Sequence, residues 1–138
     1  MRHICLGLMC ATAIMLIGCG GGSSTPVTGN WSAMLNNSTG ATVLAFSATL
    51  TQGSSTVLSV TNVNLSTPSS CFGTGATATS TLTGNAFQMT LLSESSNLNG
   101  MNQVVLQGTM ANGAISGTWD LSGTGTGCMG TGSFAMSR

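Results

Sequence analysis

The sequence contains no tyrosine and no lysine, and only 3% of its 138 residues are charged, against roughly a quarter in an ordinary soluble domain. That scarcity excludes several functions at once. Nucleic-acid binding needs cations to neutralise phosphates, and beyond Arg2 and His3 the only cationic residue is Arg138. The single histidine is His3, so no downstream histidine or lysine exists to activate the abundant serines. Glu94 and Asp120 are the only side-chain carboxylates. A carboxylate pair can hydrolyse a glycosidic bond, but Glu94 lies in the polar stretch SESSN and Asp120 alternates against Trp119, which makes both solvated surface groups. The composition therefore predicts a protein that is not an enzyme and holds no cofactor or metal.

Long apolar runs are missing too. The longest, from Ile4 to Ile17, is broken only by Gly7 and Thr12 and falls short of the roughly 20 residues that span a bilayer. It follows Met1-Arg2-His3 and ends on small residues, the pattern of a secretory signal peptide over residues 1–18. Leu16-Ile17-Gly18-Cys19 resembles the lipobox of bacterial lipoproteins. The resemblance implies that the Cys19 thiol receives a diacylglycerol, that the peptide is cut just before it, and that the new amino group takes a further acyl chain such as palmitate. Two or more chains make attachment lasting, since each buried methylene contributes about 0.8 kcal/mol. Gly20 stands where an aspartate often signals inner-membrane retention in that family. The implied location is the bacterial cell envelope, lipid-anchored at the outer membrane where one exists.

Residues 19–28 then read as the lipidated cysteine and a flexible tether, GGGSSTPVT, with an average reach of about 15–20 Å. Of five cysteines, Cys5 and Cys10 fall in the signal peptide and Cys19 is the acylation site. Cys71 and Cys128 remain, an even pair in an oxidising compartment, and a disulfide is expected. Two thiols could instead bind a metal, but the mature chain offers no histidine and only two carboxylates to complete a site.

Residues 29–138 contain no segment with helical periodicity. Turn signals such as NNSTG, TQGSS, STPSS, SNLNG and MANG recur about every ten residues, which argues for an all-β sandwich or barrel. Between them residues alternate with a period of two, as half-buried strands require. Trp31, Ala33 and Leu35 share one face, as do Leu44, Phe46, Ala48 and Leu50, and likewise Phe87, Met89 and Leu91. Two stretches fit less well. Residues 55–65 carry apolar side chains on both faces, which calls for a bulge or a strand covered on both sides, and residues 72–82 alternate weakly.

About eight strands are expected, near 29–36, 41–51, 55–65, 72–82, 85–93, 102–110, 113–121 and 128–136. Short loops between consecutive strands favour a small antiparallel up-and-down barrel, because closure removes exposed edges. A β-sandwich is the alternative. In a barrel the fourth and eighth strands run the same way, which would put Cys71 and Cys128 at one mouth.

The first strand opens with Gly29-Asn30-Trp31, which resembles the Gly-x-Trp of lipocalins and, more loosely, of avidin-like barrels. The lipocalin resemblance implies that Trp31 closes one barrel end with Arg138 packed over it; avidin-like pockets use tyrosine, which this chain lacks. GTGCMG, Gly125–Gly130, has the letters of a dinucleotide fingerprint but lacks the following helix and acidic residue that such a site needs.

Together these features predict a lipid-anchored, non-enzymatic binding module. Its partners are the membrane, through the anchor, and a small apolar or neutral ligand lined by Leu44, Phe46, Phe87, Met89, Trp119 and Phe134. The alternative is a structural or adhesion component of the envelope surface whose Ser/Thr/Asn face contacts glycan or a partner protein. The anchor is directly testable. Labelled palmitate should enter the wild-type protein and not Cys19→Ser, and the variant should move from the membrane to the aqueous fraction.

Overall fold

The computed structural model describes residues 26–66, 71–72, 75–94, 101–124 and 128–138, with the side chains of Glu94 and Met101 excepted. The signal segment, Cys19 and most of the tether lie outside the described residues. Eight strands follow one another: β1 (Gly29–Asn36), β2 (Thr42–Gln52), β3 (Val57–Leu65), β4 (Ala76–Thr83), β5 (Ala86–Glu94), β6 (Met101–Ala111), β7 (Ala114–Ser122) and β8 (Gly130–Ser137). Each pairs antiparallel with the next, and β8 pairs back onto β1 from Ser32↔Ser137 to Asn36↔Ser133. The sheet is thus a closed up-and-down barrel, and the sandwich alternative is excluded.

Alternation decides which side chains enter the bore. β1 buries Trp31, Ala33 and Leu35, while β2 buries Leu44, Phe46, Ala48 and Leu50; their partners on the other face look outward. In β3 the pattern changes phase. Leu58 and Val60 point inward, then Val63 and Leu65 do, and between them Asn62 adopts φ +53° where the pairing with β2 shifts register. A bulge flips the facing of everything beyond it, which explains the apolar residues on both faces of this stretch. β4 starts at Ala76, later than its alternation suggests, and leaves Cys71 and Phe72 outside the strand.

The bore of an eight-stranded barrel is only just wide enough for side chains to fill. Here it must hold two indoles and several phenyl rings, and glycines make the room. Around one level of the wall the cross-strand partners run Phe87↔Gly108↔Gly117↔Phe134. The two rings approach to 6.4 Å between centroids, tilted by 44°. A Cβ on Gly108 would lie 2.9 Å from Phe134 Cζ. One level along, Trp119 lies opposite Gly132, and its indole crosses β8 to donate a 2.9 Å hydrogen bond to the carbonyl of Asn36 on β1.

The two ends of the barrel differ. At the end where β1 begins, β6 and β7 are joined by Asn112-Gly113 with φ of +51° and +78°, the pair of left-handed conformations that a tight hairpin turn demands. Gly84-Asn85 makes a similarly short link from β4 to β5. At the opposite end the connections from β3 to β4, from β5 to β6 and from β7 to β8 are longer, and Cys71 and Cys128 are bridged there.

The ring–glycine fit yields a contrast within one strand. An alanine Cβ at position 132 would meet Asn36 O at 2.0 Å and Trp119 Nε1 at 2.7 Å, whereas at position 130 its closest neighbour is Trp119 Cη2 at 3.4 Å. Gly132→Ala should lose about 1–3 kcal/mol, the range for overpacking, and Gly130→Ala under about 1 kcal/mol. Urea denaturation of the two variants checks this.

Candidate ligand site at the disulfide-bridged mouth

The end where the tether arrives is plugged. Val27 is fully buried and its carbonyl accepts a 2.7 Å hydrogen bond from the Trp31 indole N–H. The Arg138 guanidinium carbon lies 5.1 Å from the Trp31 ring centroid, within reach of a cation–π attraction worth about 0.5–2 kcal/mol. Gly29 permits this contact, since it has φ +151° and a Cβ there would meet Arg138 Cδ at 3.2 Å. The Arg138–Trp31 contact implied by the lipocalin resemblance is therefore present as a local feature.

The opposite mouth holds a cavity of about 270 Å³. Leu35, Leu44, Val104 and Leu121 form its walls, and Trp119 lies further in. Cys71, Phe72 and Met129, from the segments before β4 and β8, line it too, while Asn37, Val43 and Thr131 complete its rim. The Trp119 N–H is already engaged with Asn36, so the indole presents ring carbon to the space. The Asn37 side-chain oxygen is also occupied, accepting from Thr39 N and Oγ1 and from Ala41 N at 2.7–3.0 Å.

Two devices hold the segments that cross this mouth. The first is the Cys71–Cys128 disulfide, with Cα atoms 5.4 Å apart and a sequence separation of 57. Parallel β4 and β8 bring both cysteines to the same end, as their strand directions require. The second is Asn102, which is fully buried at the start of β6. Its amide nitrogen donates to the carbonyl of Cys71, and its oxygen accepts from the backbone N–H of Thr124 at 3.0 Å. One side chain thus ties the β3–β4 segment to the β7–β8 segment, in parallel with the disulfide. Among the described residues no buried side-chain polar atom lacks a partner.

Of the six side chains expected to line a ligand space, Leu44 and Trp119 border this cavity. Phe46, Phe87, Met89 and Phe134 are buried with them in a continuous core. Alternation alone does not distinguish a side chain facing packed core from one facing empty space. Asn102 and Phe72 were not singled out from the sequence. Asn102 shares its inward parity with Val104 and Leu106, and a polar residue in register with a buried face was the available signal. Phe72 gave none, since the residues around it alternate weakly.

Asp120 faces outward and is exposed, and the side chain of Glu94 is outside the described residues. An outer groove of about 330 Å³ runs beside Asp120 between Gln107, Thr118 and Thr131. Among the described residues no group of three or more His, Cys, Asp and Glu side chains gathers into a metal site. No described helix is long and apolar enough to cross a membrane. Compared with known proteins, the sequence matches no family model, no curated protein and no solved structure.

Because Asn102 and the disulfide restrain the same residue, their contributions should couple. Removing the bridge should cost about 4 kcal/mol for a loop of this length on chain-entropy grounds. Asn102→Ala strands the buried carbonyl of Cys71 and the partly buried N–H of Thr124 and should cost about 1–3 kcal/mol. With the disulfide reduced, Cys71 can move to find other partners, so the Asn102→Ala penalty should shrink. A double-mutant cycle of Asn102→Ala with Cys71→Ser/Cys128→Ser, followed by urea denaturation, measures that coupling.

Proposed function

We propose that the protein is a lipid-anchored component of the bacterial cell envelope whose barrel is a non-enzymatic binding module for a small apolar or neutral ligand. The observation that carries this reading is the unlikeness of the two barrel ends. The chain enters β1 at the plugged end, beside Val27, Trp31 and Arg138, and the cavity lies at the other. With Cys19 acylated, the plugged end would face the membrane and the cavity would face away from it. A ligand would then exchange with the surrounding compartment rather than with the lipid that holds the anchor.

Composition supports the same reading. The outer wall is dominated by neutral hydroxyl and amide groups, as in Ser32↔Ser47, Thr79↔Thr90 and Gln88↔Gln107, which keeps the barrel wetted without a long-range field. The alternative, a structural or adhesion component, draws on that same wall and on the groove beside Asp120, where hydroxyl, amide and carboxylate groups could meet a glycan. The apolar cavity favours the binding module, because a purely structural barrel gains nothing from leaving that space unfilled.

Native mass spectrometry of the protein extracted gently from its own envelope separates the two. A binding module should carry a co-purifying adduct beyond its acyl chains, and that adduct should be lost on unfolding. A clean apo mass would favour the structural reading.

A further inference from the structure

The reading above leaves the chemical class of the ligand open, and the lining of the mouth cavity narrows it. We infer that this cavity selects an un-ionised molecule of about ten non-hydrogen atoms, largely hydrocarbon with at most one neutral polar group; the inference rests on the binding reading just proposed. Size comes first. An apolar cavity of about 150 Å³ holds benzene, so the roughly 270 Å³ here accommodates a molecule rather less than twice as large.

Charge comes second. Among the described residues no side chain bordering the cavity is ionisable: its walls are Leu35, Leu44, Val104 and Leu121, and its sulfurs belong to the bridged Cys71 and to the thioether of Met129. Arg138, the only cation among the described residues, sits over Trp31 at the opposite end. A carboxylate or ammonium entering the mouth would lose its hydration with no counter-charge among these described lining residues to replace it, a cost that a few hydrogen bonds do not recover. Asp120 does not help a cationic ligand, because it points to the outer face of the wall.

Polar contacts come third. The indole N–H of Trp119 and the side-chain oxygen of Asn37 are both already hydrogen-bonded. The polar side chains at the described rim, Asn37 and Thr131, are both neutral, and Thr131 shares the outward facing of its cross-strand partner Asp120, so the rim has room for at most one hydroxyl or carbonyl. The apolar part of such a ligand would lie against Leu44, Val104 and Leu121, with its polar end toward the rim.

Three probes of equal chain length and different charge test this: 1-octanol, octanoate and octylammonium. Binding is followed by methyl NMR shifts of Leu44, Val104 and Leu121 in the full chain carrying Cys19→Ser, which removes the acylated thiol. Octanol should shift these methyls and leave Leu50 and Val27 at the plugged end unmoved, and both ions should bind at least about tenfold more weakly. Val104→Phe should fill the space and abolish the shifts. Val43→Glu, at an exposed rim position where folding is not at risk, should raise the affinity for octylammonium relative to octanol. Equal binding of all three probes would overturn the inference while leaving a binding module. Failure of all three, with an adduct still present on protein from the envelope, would place the ligand elsewhere and also overturn it. Failure of all three with a clean apo mass would remove the inference and the binding reading together.

Discussion

The bore of eight strands is narrow, and the fit of aromatic rings into it governs the rest of this structure. Trp119 and Phe134 cannot both point inward unless the neighbouring strands give way, and they do so through Gly132 and Gly108, while at Gly117 a Cβ would meet the β6 backbone, with Gln107 O at 2.0 Å. The indole of Trp119 lies across β8 and bonds to β1, so one side chain links three strands around the seam where the barrel closes. Closure removes the sheet edges that would otherwise invite pairing with other chains. That protection matters in a protein with too little charge to keep copies apart by repulsion.

Closure also fixes the arrangement of the ends. An even number of antiparallel strands returns the chain to the side where it began, so the start of β1 and Arg138 at the end of the chain meet at one mouth. Their meeting builds the plug of Val27, Trp31 and Arg138. The long connections leave from and return to the other mouth, where Cys71, Cys128, Asn102 and Thr124 are tied together beside a space the core does not fill. Topology brings the two termini together at the sealed end next to the tether, and the cavity lies at the far end. The functional proposal draws on that asymmetry.

Much of the fold was legible because a strand in a barrel writes its facing into alternate residues. The run from Trp31 to Leu35, and that from Leu44 to Leu50, match the buried positions residue for residue. The β3 region carried its bulge visibly, as apolar residues on both faces, although the position of Asn62 did not follow from the pattern. The start of β4 was less legible, because Thr, Ala and Ser suit strand and loop alike and Phe72 suggested a strand residue where the chain is still crossing the mouth. The cavity was least legible. Leu44 and Phe46 are equivalent in the sequence, yet one borders open space and the other is packed in, a difference set by loops from distant parts of the chain.

Xenon offers the most direct measurement of the central claim, that one barrel end is sealed and the other holds an accessible apolar space. Xenon enters dry apolar cavities without needing polar partners. Under xenon pressure, methyl resonances of Leu35, Leu44, Val104 and Leu121 should shift in a saturable way, while those of Val27, Leu50 and Leu58 stay in place. Equal shifts at both ends, or no saturable shift at the disulfide-bridged mouth, would contradict the account.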